Sequence, residues 1–173
     1  GEISTYTEYL NHNDTVRYIG KEQCRACHAE IYDSYMQTGM GKSFHFATKE
    51  NSALSLSEMP IIKDTIKNLS YQPFWKNDSL YLKEFRIKGK DTTHQLIKKV
   101  NYKIGSGNHT NSHLFEINGY VHQMPYTFYT QDKIADFPPG FENGNNTRFS
   151  REIGLECMSC HNAYPEHAEG SNN

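Results

Sequence analysis

The sequence predicts an α+β fold with much irregular structure, in which helices stand at both ends of a small antiparallel β-sheet. Three observations point to it. KEQCRACHAEIYDSYMQTG, Lys21 to Gly39, holds no proline and ends in a glycine suited to a left-handed C-terminal cap, so a helix is predicted over about Glu22–Thr38. From Ile61 onward, LSYQPFW, SLYLKEFRI, HQLIKKVNYKIG and HLFEINGYVHQMPYTFYT are short β-branched and aromatic runs broken by Asn-Asp, Lys-Gly-Lys and Asn-Gly turns. Near the end, Ser150–Asn162 reads as a second short helix. Residues 1–17 form a polar leader without helical period, 18–173 one domain, and about 61–130 a β-rich insert within it. The clearest local signal is Asn118-Gly119, a type I′ hairpin turn between Leu114–Ile117 and Tyr120–Met124, and FPPGFENGNN, Phe137 to Asn146, reads as a loop.

Composition narrows the classes of function. A net charge of -2 and a pI near 6.5 provide no basic stripe for nucleic acid. No run approaches the roughly 18 apolar residues of a membrane span. Only 36% of the residues are apolar, tyrosines included, which is thin for a side-chain core and predicts that something larger fills it.

The cysteines identify a candidate. CRACH, Cys24 to His28, recurs as CMSCH, Cys157 to His161. Cys-X-X-Cys serves zinc ligation, dithiol redox chemistry or haem attachment, and the fifth residue discriminates among them. On a helix, positions i, i+3 and i+4 leave one face together, so two sulfurs and an imidazole can meet a porphyrin edge. The sulfurs then form thioethers with the vinyl groups while the histidine reaches iron. A Cys₄ zinc site would employ the cysteines and leave both histidines without a reason, and its pairs usually lie much closer in sequence. A dithiol oxidoreductase lacks its βαβ setting. Two covalent haems c therefore become the expectation, held by Cys24, Cys27, Cys157 and Cys160 with His28 and His161 on the irons. They would form much of the core and leave no cysteine for a disulfide. Covalent attachment of haem c in bacteria is completed outside the cytoplasmic membrane, so export to the periplasm or beyond is expected.

The string YIGKEQCRACHAEIYDSYMQTGMGKSF, Tyr18 to Phe44, resembles the opening of the cytochrome c-554 family and of its relatives at the N-terminus of bacterial tetratricopeptide-repeat proteins. VNYKIGSGNHTNSHL, Val100 to Leu114, is similar to their Gly-Ser-Gly-X-His segment. YVHQMPYTFY and FPPGF match their Gln-X-Pro and Pro-Gly-aromatic elements. The resemblance runs from Tyr18 to His161 and implies a multihaem electron carrier with closely packed haems. It also implies distal ligands from a residue just after the first haem helix and from a middle-segment histidine. This chain departs from the pattern in two respects. It ends 12 residues after His161 where relatives carry further motifs, which predicts a piece of a longer multihaem protein, and Met40 stands where they offer a distal histidine.

Distal ligation is accordingly expected from His109, preceded by Gly105-Ser106-Gly107, with His113 as its rival, and from Met40, with His45 as the fallback. His94 and His122 read as pleat residues, His12 belongs to the leader, and His167 is solvated or serves a further haem. Met40 follows His28 by 12 residues, roughly 18 Å along a straight helix, so it would serve a different haem. A methionine beside Phe44 and Phe46 is otherwise ordinary core. The expected function is relay of single electrons between redox partner proteins, or further haem domains of a parent chain, with no nucleic acid and no membrane span. Two alternatives are a haem enzyme reducing nitrogen compounds or oxyanions at an open iron, and a gas-sensing haem module; rapid binding of CO or NO would separate both from six-coordinate carriers.

Overall fold

A computed structural model describes residues 15–17, 19–53 and 59–161. The chain divides into two compact units, Gly1–Met36 and Gln37–Asn173. Of the leader only 15–17 is described; His12, Asn162 and His167 lie outside the described residues.

The first unit carries α1 (Lys21–Arg25) and most of α2 (Ala29–Gln37). The single helix predicted over Glu22–Thr38 is thus interrupted at 26–28, although no glycine or proline stands there. The last turn of α1 tightens instead: the Cys27 N–H donates to the Cys24 carbonyl at 3.3 Å, a 3₁₀ spacing, while the His28 N–H reaches the same oxygen at 2.9 Å. Arg25 pairs with Asp33 at 3.2 Å and lies over the Tyr32 ring, both on the surface. Gly39 lies outside the left-handed region. Turns over Thr38–Ser43 end α2 in its place, the Lys42 N–H donating to the Thr38 carbonyl and the Gly41 N–H to the Thr38 hydroxyl.

The second unit is built of strands. One sheet has the order β2 (Ile62–Asp64), β3 (Leu69–Lys76), β4 (Ser79–Lys88), β5 (Asp91–Lys99). The other runs β1 (Phe44–Phe46), β6 (Tyr102–Ile104), β7 (Thr110–Ile117), β8 (Tyr120–Tyr129), β10 (Arg151–Glu152), with β9 (Ile134–Asp136) also on β8. All pairs are antiparallel. Local turn chemistry sets three registers. Lys76 faces Ser79 across Asn77-Asp78, Lys88 faces Asp91 across Gly89-Lys90, and Ile117 faces Tyr120 across Asn118-Gly119. At the last of these both central residues have positive φ, 53° and 84°, as a type I′ turn requires. Pro73 in β3 lies beyond the short span that pairs with β2, so its missing N–H costs no ladder bond. Phe137 to Asn146 is loop, and α3 (Leu155–His161) follows β10.

The fold is therefore mostly β, and the α+β expectation is corrected: 42% of the described residues are strand and 15% helix, in two sheets and three short helices. The core, too, is made of side chains. Ile62, Leu69, Tyr71, Leu80 and Leu82 from one sheet join Phe115, Met124 and Tyr126 from the other in one buried cluster, at roughly 1.5–3 kcal/mol for each large apolar side chain. The 36% apolar content suffices because the buried apolar residues of both sheets gather in one cluster, tyrosines among them. Tyr71 and Tyr126 are buried with their hydroxyls satisfied, by Glu84 and by the Pro60 carbonyl, each at 2.9 Å.

Glu84 on β4 is fully buried and ties this sheet to the loop before the second motif. Its carboxylate accepts from the Tyr71 hydroxyl, from His94 Nε2 at 2.7 Å and from Arg148 Nε at 2.9 Å and Nη2. Asn146, also buried, donates to Asp64 and to the Tyr71 hydroxyl, each at 2.9 Å. Burial alone would raise the Glu84 pKa; the hydrogen bonds from Arg148, His94 and Tyr71 outweigh it and hold the carboxyl below the usual range. Its contribution to stability is present above the ordinary glutamate pKa and is lost as pH falls through the depressed one. Glu84→Gln should cost about 3 kcal/mol, the low end for breaking a buried pair because Arg148 is 43% exposed. It should also weaken the acid limb of the stability profile; urea unfolding between pH 3 and 7 measures both.

Candidate haem-binding site

The first motif borders a cleft of about 430 Å³ lined by Lys21, Cys24, His28, Ile31, Tyr32 and Tyr35. That volume falls within the roughly 300–1,000 Å³ typical of cofactor sites. The spacing of the lining residues follows one helical stripe, so the interruption at 26–28 keeps Cys24 and His28 on a common face. Cys27 is exposed on the connecting turn. Neither α1 nor α2 buries a residue, and Ile31 is 68% exposed, so the apolar stripe of this unit faces the cleft rather than a side-chain core.

In the second unit, α3 begins after Gly154, whose carbonyl accepts from the N–H groups of Cys157 and Met158. Cys157, Cys160 and His161 are exposed, and all four cysteines are free thiols. The helix end is fastened by Ser43, a residue that the sequence reading passed over. Its hydroxyl lies 2.8 Å from the Met40 carbonyl and 3.2 Å from that of His161, its one proton shared between them. The backbone of Met40 thereby meets the end of the second motif. Met40 is 61% exposed, so it does not fill the core.

The remaining histidines separate clearly. His109 is exposed at the foot of β7. The glycines before it serve the protein itself: a Cβ at Gly105, φ 106°, would lie 2.3 Å from the Thr110 carbonyl oxygen. His113 is 2% exposed. It lies where the β7–β8 register shifts, around Met124-Pro125-Tyr126, and its Nδ1 is 3.1 Å from the Tyr126 carbonyl. A carbonyl only accepts, so Nδ1 carries the proton, leaving Nε2 as a buried acceptor without a partner among the described residues. His45 Nε2 meets the Gly41 carbonyl at 3.0 Å, His94 is engaged by Glu84, and His122 stacks on Phe115 at 5.1 Å. Among the described residues no group of three or more His, Cys, Asp or Glu is arranged to hold a metal ion, and no helix is long and apolar enough to cross a membrane.

Compared with family models, with curated proteins and with solved structures, the chain matches none. The likeness to the cytochrome c-554 family rests on the motifs quoted above.

Burial pushes the His113 pKa down to about 4, with Lys103 nearby acting in the same direction and the Tyr126 carbonyl opposing them. The unfolded chain then takes up this proton first, so His113 contributes full stability above about pH 6.5, which is lost as pH falls towards 4. The loss is on the order of 3 kcal/mol. His113→Gln should flatten this limb of the unfolding profile between pH 6.5 and 4, and an unchanged limb would place the titration elsewhere.

Proposed function

We propose that this chain is an exported multihaem c-type cytochrome that relays single electrons between redox partners. The duplicated Cys-X-X-Cys-His carries the reading, and the local structure suits it. Four exposed free thiols are available for thioether bonds, His28 and Cys24 border one apolar cleft, and the three short helices bury none of their own residues. Such helices are marginal alone and gain stability by covering an apolar partner. Cys24, Cys27 and His28 would hold one haem and Cys157, Cys160 and His161 the other. The bound haem supplies the one-electron chemistry; the chain supplies attachment, axial ligands and exclusion of water.

Met40 and His109 are proposed distal ligands. Both are exposed in their own unit, so each is accessible to an iron without opening the core. A thioether favours ferrous iron, so a His/Met haem has a higher potential than a His/His one.

Matured protein should exceed the polypeptide mass by two haems and yield two pyridine haemochromes per chain; zinc without a Soret band would end the reading. Met40→His should lower the potential of one haem while leaving it six-coordinate, and Met40→Ala should make that haem high-spin and reactive towards CO. If neither variant alters spin state or potential, Met40 is not a ligand.

A further inference from the structure

Lys103 is a buried lysine that pairs with no carboxylate among the described residues. It is 3% exposed on β6, directly between His45 on β1 and His113 on β7 in the register of the sheet. Its ammonium donates to two carbonyl oxygens, Lys42 at 3.3 Å and Gly105 at 3.1 Å. Among the described residues no acid pairs with it, and the charge that bears on it is the like charge of Lys42. An ammonium has three protons to donate, and buried cations are as a rule paired. The flanking imidazoles offer no anion: His45 faces the Gly41 carbonyl, and His113 is bonded through Nδ1 to Tyr126.

The same hydrogen bonds lead to the second motif. Lys42 adjoins Ser43, the Gly105 N–H donates to the Ser43 carbonyl at 2.7 Å, and the Ser43 hydroxyl reaches the carbonyls of Met40 and His161. This buried lysine and the end of the haem-attachment helix therefore share one turn of chain.

We propose that Lys103 is the internal counter-charge of the haem attached at Cys157 and Cys160, its remaining N–H meeting a propionate carboxylate. This rests on reading Cys157, Cys160 and His161 as a haem motif. A haem brings two carboxylates into a site where each needs a donor or a cation, and a charge-assisted hydrogen bond from an ammonium is among the strongest available. Lys103 acts as a positioning and charge-setting residue: it orients the haem edge and, by placing positive charge beside it, favours the ferrous state.

The test is a redox titration with resonance Raman spectroscopy of the matured protein, as wild type, Lys103→Gln and Lys103→Arg. In the Gln variant one wave moves to lower potential and the propionate bending mode of one haem shifts, with both haems still attached and the other wave unchanged. In the Arg variant, which keeps the charge, the wave stays near the wild-type position while the propionate mode moves. That arm decides the matter even if the Gln variant does not fold. Unaltered propionate modes in the variants overturn the proposal, as does a Gln variant with wild-type potentials. If peptide masses show no haem at Cys157 and Cys160 in the wild type, the functional reading falls first and takes this inference with it.

Discussion

The larger unit depends on one buried carboxylate. Glu84 has no solvent exposure and gathers Tyr71, His94 and Arg148, while Asn146 extends the network to Asp64. A buried charge is tolerated only when its lone pairs are satisfied, so this cluster admits one arrangement of its partners. Those partners come from β2, β3, β4, β5 and the loop at 146–148. Closing the network therefore fixes where the chain leaves the sheet on its way to the second motif. The next fastenings follow in order: Arg151 donates to Gln123 and to the carbonyls of Pro139 and Gly140, and the Ile153 N–H donates to Val121. Two residues later α3 begins.

This arrangement divides the labour within the chain. The sheets supply rigidity through a side-chain core, whereas the motif helices bury nothing and present sulfur and imidazole to their surroundings. A carrier of single electrons needs a cofactor held at a set orientation more than it needs a reactive pocket. Within the larger unit Ser43 and Lys103 connect the sheet to α3, since one holds the end of that helix and the other lies buried behind the same turn.

What was legible in the sequence was local. The hairpin at Asn118-Gly119 and the turns at Asn77-Asp78 and Gly89-Lys90 are written in residues that accept positive φ or form tight turns. The partition into two sheets was not legible. β1 pairs with β6 across more than fifty residues, a choice made by packing that no window of sequence reveals. The split of the first helix left no mark either, because it arises from one tightened turn in a stretch without a breaker. Of the candidate site, both pentapeptides were plain from spacing. Ser43 and Lys103 were not: a serine after a helix and a lysine in a strand usually face water, and here both are buried. His113 was read only as a rival to His109, since its burial follows from the β7–β8 irregularity around Pro125.

The central claim is that the two Cys-X-X-Cys-His motifs make this chain a reversible store of single electrons. Coulometric titration of the matured protein, followed at the Soret and α bands, tests it most directly. The account predicts uptake of two electrons per chain, in one-electron waves, returned in full on reoxidation with sharp ferrous α bands and no added substrate. Uptake of no electrons by protein that carries zinc, or of electrons only through formation and cleavage of a Cys24–Cys27 disulfide, would contradict it.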